Sequence, residues 1–291
     1  MVDHDAPTEP NAEPESRFRA DWDAWHERLE QKRTAPHGFL SPVGFTQLAE
    51  APQRIPGLPG EWSTGPDGPI VRLGEGETLD DPSGPITGEH RYGPIPAGDL
   101  WQPHGELMIE ILRRGTADLV RPRDPNAPLR TGYPGTPAYE PESEWVIEGH
   151  FEPFDTPKEA VVGAFLEGLE HVFQAPGTVV FEREGATHRL TVFNGANPGS
   201  LQALFRDESS GVTTYGMVRS LAIDAPDAEG RVVLDFTRAT NMPCAYTDHA
   251  ACPMPPLENR LALFVAAGEQ IPRFRSTAAG VVAQVAASAG A

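Results

Sequence analysis

Short segments that alternate apolar and polar residues, separated by turns rich in glycine and proline, make up the chain from about residue 106 onward. The 29 Gly and 31 Pro residues among 291 are too many for an all-helical bundle. Alternation with a period of two is typical of strands that bury one face. We therefore predict a mainly β fold, an antiparallel β-sandwich or a partly closed barrel, with an amino-terminal helical segment.

The clearest strand prediction is a hairpin, in which residues 178–184 and 187–194 flank Gly185-Ala186. Residues 51–105 are dense in Gly and Pro and predict short strands or irregular loops. The remaining strands that the alternation predicts are 107–114, 145–154, 201–207, 217–224, 231–236 and 261–269.

An amphipathic helix is predicted near the amino terminus, because four large apolar residues recur there with helical spacing. These residues are Phe18, Trp22, Trp25 and Leu29. Residues 38–50 favour a second, short helix after Pro42.

Three regions are predicted along the chain. Residues 1–16 are acidic and rich in proline, which indicates a disordered tail. Residues 276–291 are rich in Ala, Gly and Val and indicate a flexible or helical tail. We expect residues 17–275 to form a single β-rich domain, since no change of composition interrupts the strand pattern.

The charge balance excludes several partners. The chain has 23 Lys+Arg and 42 Asp+Glu, a formal net charge of −19, which opposes binding to nucleic acid or to an anionic membrane surface. No apolar run reaches the ~18 residues that span a bilayer. The first 20 residues lack the apolar segment of a secretory signal, so we expect a cytoplasmic protein. Lys32 and Lys158 are the only lysines; GC-rich coding and adaptation to high salt both account for this.

The two cysteines leave three alternatives open. Cys244 and Cys252 are separated by seven residues that include His249. Free thiols, a disulfide and a metal site are all compatible with this spacing, although C-x₂-C is the spacing typical of zinc sites. We assign no metal ligand and no cofactor. The chain also lacks the phosphate-binding glycine loop, the G-x-S-x-G elbow and the H-E-x-x-H motif.

The densest cluster of polar residues lies between residues 205 and 269. Asp235 points away from its apolar neighbours in the predicted strand 231–236, and a proline-rich loop follows it. We expect a site beneath the loop 237–259, in which carboxylates and a tyrosine act on a ligand and guanidinium and amide groups bind it. The candidate catalytic residues are Asp235, Tyr215 and Glu269, and the candidate binding residues are Arg123, Arg219, Asn241 and Asn259.

The same region resembles the family of domain of unknown function 1684 (DUF1684). The resemblance rests on FRDESSGVTTYGMVRSL (205–221) and DFTRATNMPCAYTDHAACPMPPLENRLALFVAAGE (235–269), and in a looser form it extends over roughly residues 18–274. The positions that match the family pattern include Asn241, Cys244, Cys252, Asn259 and Glu269. The positions that depart from it include Thr237, Thr240 and Met242. The resemblance implies no known reaction, but it supports treating 205–269 as one unit.

Three functional hypotheses follow. The first is an enzyme or binding protein for a small polar or anionic molecule, which Arg219 and Arg123 would hold. The second is a non-catalytic structural or interaction domain, in which the same side chains form a buried Arg–Asp–Asn network. The third is a metal protein that uses Cys244, Cys252 and a histidine. The sequence leaves the oligomeric state open.

Overall fold

The computed structural model of the protein describes residues 12–95, 99–165 and 168–284. Its sheets are antiparallel and one long helix, α1 (Ala12–Arg33), lies at the amino terminus, which confirms the predicted fold class. The helix begins inside the segment predicted as a disordered tail, so that prediction is wrong for residues 12–16. Residues 1–11 lie outside the described residues.

The first half of the chain forms two four-stranded sheets, with strand orders β1-β8-β7-β6 and β2-β3-β4-β5. Side chains from both sheets, including Trp62, Val71, Ile109 and Val120, share one apolar core, which is the arrangement of a sandwich. The strands are β1 (Thr46–Gln47), β2 (Gln53–Arg54), β3 (Glu61–Gly65), β4 (Gly68–Arg72), β5 (Glu89–Arg91), β6 (Leu100–His104), β7 (Leu107–Arg114) and β8 (Ala117–Arg123).

The predicted second helix over residues 38–50 is wrong. This segment runs along the edge of β8 instead, where the Val43 amide donates to Pro122 O at 3.0 Å and the Leu48 amide donates to Asp118 O at 2.8 Å. The exposed edge of a strand offers hydrogen-bond partners to the backbone of a neighbouring segment. A helix would have to make these hydrogen bonds within itself, which is unfavourable for a segment this short.

The second half forms a seven-stranded sheet with the order β14-β9-β10-β11-β12-β13-β15, preceded by the short helix α2 (Pro128–Thr131). Its strands agree with most of the predicted ones. They are β9 (Val146–Gly163), β10 (Glu170–Arg183), β11 (Ala186–Asn194), β12 (Leu201–Phe205), β13 (Arg219–Ile223), β14 (Arg231–Asp235) and β15 (Thr240–Asn241). The predicted hairpin is β10–β11, with its two-residue turn at Glu184-Gly185.

This sheet curls without closing. β13 and β14 lie close together, but no ladder joins them in the part of the chain that the structure describes. The inner face is filled by apolar side chains from every long strand, so the concave side is a packed core. Helix α1 lies across the gap between β13 and β14, where the Trp22 indole donates to Thr237 O at 2.9 Å.

Residues 261–269 do not form the predicted strand. Their alternation correctly marks a buried face, since Leu261, Leu263 and Val265 are buried. Their backbone groups, however, bond to the loop after β12: the Leu261 amide donates to Arg206 O at 2.8 Å. The segment therefore crosses the end of the sheet without joining it.

The chain closes with a hairpin of β16 (Phe274–Thr277) and β17 (Gly280–Ala283), so the flexible or helical tail predicted for 276–291 is wrong over these residues. Residues 285–291 lie outside the described residues. The single domain over residues 17–275 stays a prediction. Across residues 12–95, 99–165 and 168–284, no helix has the length and apolarity needed to cross a membrane.

Candidate functional site

Arg219 is buried at the start of β13, and its guanidinium group is occupied by contacts within the protein. Its Nη1 lies 2.8 Å from Asp207 Oδ2, at the end of β12, and its guanidinium also donates to the carbonyl oxygens of Val265 and Ala267. Both side chains of the ion pair are almost completely inaccessible to solvent. Arg219 therefore pairs with Asp207 and not with Asp235, the aspartate that the sequence indicated as a site residue. Its guanidinium holds residues 261–269 against the sheet.

Asp235 lies at the end of β14, half-buried, and serves the turn that follows. Its carboxylate accepts from the Thr237 amide at 3.1 Å and lies 3.1 Å from Nε of Arg238. Thr237, one of the departures from the family pattern, adds a hydroxyl donor to the same carboxylate oxygen. Asp235 is nevertheless the one predicted catalytic residue among those that line the large groove described below.

Tyr215 lies elsewhere, in the core beside the cysteine loop. Its hydroxyl donates to Cys244 O at 2.9 Å and accepts from Arg275 at 3.3 Å, and burial raises the pKa of the Tyr215 hydroxyl. Cys244 and Cys252 are both free and buried. The Cys244 amide donates to Cys252 Sγ at 3.2 Å. Of the three alternatives for the cysteines, the structure therefore has free thiols.

Asn259 and Arg123 connect segments of the fold. The Asn259 side chain accepts from the Thr191 amide and donates to Thr191 O and Leu204 O, each at 2.8 Å, so it replaces a missing strand partner. Arg123 donates to Glu110 Oε2 at 2.8 Å and to Gly38 O at 2.7 Å. Arg123 therefore links β7 and β8 to the segment that follows α1.

Glu110 is held between two guanidinium groups. Arg121 donates to both of its carboxylate oxygens at 2.6 Å, and Arg123 provides a third hydrogen bond. Burial alone would raise the pKa of Glu110, but the hydrogen bonds and charges of Arg121 and Arg123 outweigh it and lower this pKa to about 2. Arg123 is consequently not available to bind an anion.

Glu269 and Asn241 meet a set of α1 side chains that sequence reasoning missed. The Asn241 amide donates to Glu269 Oε2 at 2.7 Å, and Arg33 Nη2 lies 2.5 Å from Glu269 Oε1. Arg33 also contacts Glu30, one turn earlier, and His26 lies a further turn back. Burial raises the pKa of Glu269, and the Arg33 charge opposes this shift. We call His26, Glu30, Arg33, Asn241 and Glu269 the α1 acid cluster.

A layer of aromatic and hydroxyl groups surrounds Arg33. Its Nη1 lies 3.2 Å from Thr136 Oγ1, which in turn lies 2.7 Å from the Tyr246 hydroxyl. The guanidinium stands 5.5 Å from the ring centroid of Phe39 and 5.3 Å from that of Tyr246. A signal for the cluster was present in the sequence, because positions 26, 30 and 33 share one face of a helix.

An open groove of about 1160 Å³ lies between α1 and the gap of the curled sheet. We call it the α1 groove. Its walls carry Asp21 and Trp25 from α1, Asp224 after β13, and Asp235 and Arg238 after β14. Asp21 and Asp224 are exposed and make no ion pair or hydrogen bond with any residue that the structure describes. Carboxylates beside an aromatic ring are the groups that bind an organic cation.

Comparison with known proteins identifies one family. Residues 131–270 match the model described as "Protein of unknown function (DUF1684)". This range holds every predicted site residue except Arg123, and it excludes α1. No curated protein matches the chain. Among solved structures, the chain is similar to the solution NMR structure of the uncharacterized protein from gene locus rrnAC0354 of Haloarcula marismortui. The identity is 27%, the match covers 48% of this chain and 78% of that chain, and the TM-score is 0.41.

Proposed function

We propose that this chain, whose residues 131–270 belong to the DUF1684 family, binds a small polar molecule with a positively charged group in the α1 groove. The observation that carries the proposal is the pair of exposed carboxylates, Asp21 and Asp224, on two different walls of one groove. Neither carboxylate has a partner among the described residues, so both are available to a ligand.

The charge of the groove selects the sign of the ligand. Besides Asp21 and Asp224, its walls carry Asp235, whose charge is balanced by Arg238 at 3.1 Å. The Arg238 guanidinium also stands 5.5 Å from the Trp25 ring centroid. An ammonium or guanidinium group entering the groove gains from the uncompensated carboxylates and from the aromatic face, whereas an anion is repelled.

The sequence suggested an anionic ligand because of Arg219 and Arg123, and the structure removes this support. Arg219 is paired with Asp207, and Arg123 is paired with Glu110, each in a buried contact. A guanidinium that already donates to a carboxylate and to backbone carbonyls has few N–H groups left for a second anion. The polar character of the ligand is retained in our proposal, and its charge is reversed.

Binding is favoured over catalysis by the composition of the groove. Its described lining contains no histidine, cysteine or lysine, so the groups that could act there are carboxylates, hydroxyls and the Arg238 guanidinium. A covalent mechanism needs a nucleophile next to a base. The Ser143 hydroxyl does donate to Glu15 Oε2 at 3.1 Å, but both side chains are exposed, so this pair is not sheltered from water. A cytoplasmic location is part of the proposal, and the two free, buried thiols support it.

The test is isothermal titration calorimetry at low salt with a fixed panel of probes. Putrescine, agmatine and choline represent amine, guanidinium and quaternary ammonium ligands, and succinate and glucose represent anionic and neutral ones. We expect saturable binding of at least one cation, weakened at least tenfold in the double variant Asp21→Asn, Asp224→Asn.

Asp67→Asn is the matched control, because Asp67 is an exposed aspartate in a turn of the first half of the chain. It should bind as the wild type does. Binding of none of the three cations, or equal binding by the double variant, would disprove the proposal.

The second candidate function is that of a structural domain, and the buried Arg219–Asp207 pair favours it. A purely structural protein would bind no member of the panel, while substitution of Arg219 would still unfold it. The third hypothesis has no support from the described residues, because neither cysteine belongs to a group of clustered metal-ligating side chains there.

A further inference from the structure

We propose that His26, Glu30 and Glu269 form a binding site for a divalent transition metal such as Zn²⁺ or Mn²⁺. This site is separate from the α1 groove, since none of its three residues lines that groove. Two of the ligands come from α1 and the third from the end of the segment 261–269, so a bound metal would join the helix to the sheet.

The ligand atoms already lie close together. One atom from each of His26, Glu30 and Glu269 falls within 4.8 Å of the other two. Metal–nitrogen and metal–oxygen bonds of about 2.1 Å put the ligand atoms of a tetrahedral site about 3.4 Å apart. The three side chains would therefore need to approach one another by up to about 1.4 Å.

One candidate ligand atom lacks a hydrogen bond. His26 Nε2 is buried and has no hydrogen-bond partner among the described residues. Glu269 is 1% exposed, and its Oε1 is paired with Arg33 Nη2 at 2.5 Å. A buried polar atom without a partner is costly, so a missing ligand is the economical explanation for the unpartnered nitrogen of His26.

Neighbouring groups orient the three side chains as outer-shell partners do in metal sites. The Asn241 amide donates to Glu269 Oε2 at 2.7 Å, and the Tyr133 hydroxyl donates to Glu30 Oε1 at 3.1 Å. The His26 ring stacks on Trp22, with centroids 4.7 Å apart. Such contacts hold ligands in place before the metal arrives.

The charges of the side chains around the triad favour the binding of a further cation. Glu30 and Glu269 together carry two negative charges when ionised, and Arg33 supplies one positive charge beside them. The rival explanation is that Arg33 alone is the cation that the two carboxylates require. His26 and Glu30 are only partly buried, so an ion could reach the triad from solvent without unfolding the helix.

The experiment uses the full chain, stripped with a chelator and dialysed, and titrated separately with Zn²⁺ and Mn²⁺. We expect one metal per chain and a rise in the midpoint of thermal unfolding on loading. His26→Gln and Glu30→Gln should each weaken binding at least tenfold. Glu27→Gln, an exposed glutamate on the same helix, is the control and should bind normally.

Substitution with Co²⁺ identifies the donor atoms. The triad predicts absorption from nitrogen and oxygen ligands without a thiolate-to-cobalt charge-transfer band, since Cys244 and Cys252 take no part. A thiolate band, a stoichiometry near zero, or unchanged affinity in His26→Gln would overturn the proposal. Circular dichroism of each variant verifies that it is folded before titration.

Discussion

Arg219, Glu110 and Arg33 lie in contacts from which solvent is almost excluded, and each is paired with opposite charge. A buried ion pair contributes little net stability compared with an apolar pair, because both charges lose their hydration. Removing one partner is costly, about 3–5 kcal/mol, because the other charge is then left alone. Three of the four charged residues that the sequence indicated as a site, Arg123, Arg219 and Glu269, are thus already paired in buried contacts.

The pH dependence of stability at the residue scale is expected to come from Glu110 in particular. Its pKa is about 2 in the folded protein and 4.5 ordinarily, so the folded state binds the proton more weakly than the unfolded state does. The stabilisation is therefore complete above about pH 5 and is lost as the pH falls towards 2; it amounts to about 3 kcal/mol. Urea unfolding between pH 2 and pH 7 measures it.

Glu110→Gln should be less stable than the wild type at pH 7, and its free energy of unfolding should fall less steeply between pH 5 and pH 2. Glu75→Gln, at an exposed glutamate, should follow the wild-type curve. Parallel curves for Glu110→Gln and the wild type would contradict the assigned pKa.

At the scale of elements, the alternation of apolar and polar residues predicted the buried side chains reliably. It predicted the backbone hydrogen-bond partners less well. The hairpin β10–β11 was predicted with its turn one residue too late, at Gly185-Ala186 and not at Glu184-Gly185. Its two strands were found because they are adjacent in sequence and the turn between them is short. Residues 261–269 alternate in the same way but bond to the loop after β12, and residues 38–50 bond to the edge of β8. Which segment a strand pairs with depends on the segments that pack beside it. The periodicity of the strand's own sequence carries no information about those segments.

The turn of this hairpin offers a stabilising substitution. Glu184 has a φ of 54° and Gly185 a φ of 74°, the combination that two-residue turns with left-handed backbone require. Asparagine tolerates this conformation better than glutamate, so Glu184→Asn should raise the free energy of unfolding by roughly 0.5–1 kcal/mol. Gly185→Ala should lower it by a similar amount. Both are measured by chemical denaturation, and a destabilised Glu184→Asn would refute the turn geometry.

At the scale of the whole molecule, the two halves are joined by buried contacts as well as by the chain. Leu112 and Leu119 of the sandwich pack with Leu169 and Ala251 of the second half. Helix α1 then lies across the gap that the curled sheet leaves open, with the α1 groove beside it and the α1 acid cluster beneath it. Both proposed sites therefore depend on the position of this one helix.

The net charge of −19 predicts that salt stabilises the whole protein. Repulsion between exposed carboxylates opposes compaction, and added ions screen it over a Debye length of about 10 Å at 0.1 M. Raising NaCl from about 0.02 M to about 0.5 M should increase the free energy of unfolding by about 1 kcal/mol, a rise of roughly 2–4 °C in the thermal midpoint.

A variant that combines Glu50→Gln, Glu61→Gln and Glu75→Gln removes three exposed charges and should show a smaller rise. A thermal midpoint that falls with added salt would mean that exposed ion pairs outweigh the net repulsion.

The sequence alone was enough to predict the mainly β class, the amino-terminal helix, most long strands and the buried faces, because side-chain periodicity is a local property of the chain. It also indicated Glu269 and Asn241 as neighbours in one polar region. Which charges meet was settled by packing: Asp207 rather than Asp235 binds Arg219, and α1 brings Arg33 to Glu269 across more than two hundred residues. Such contacts join residues that are distant along the chain, and they form only when the sheet curls and the helix covers its gap.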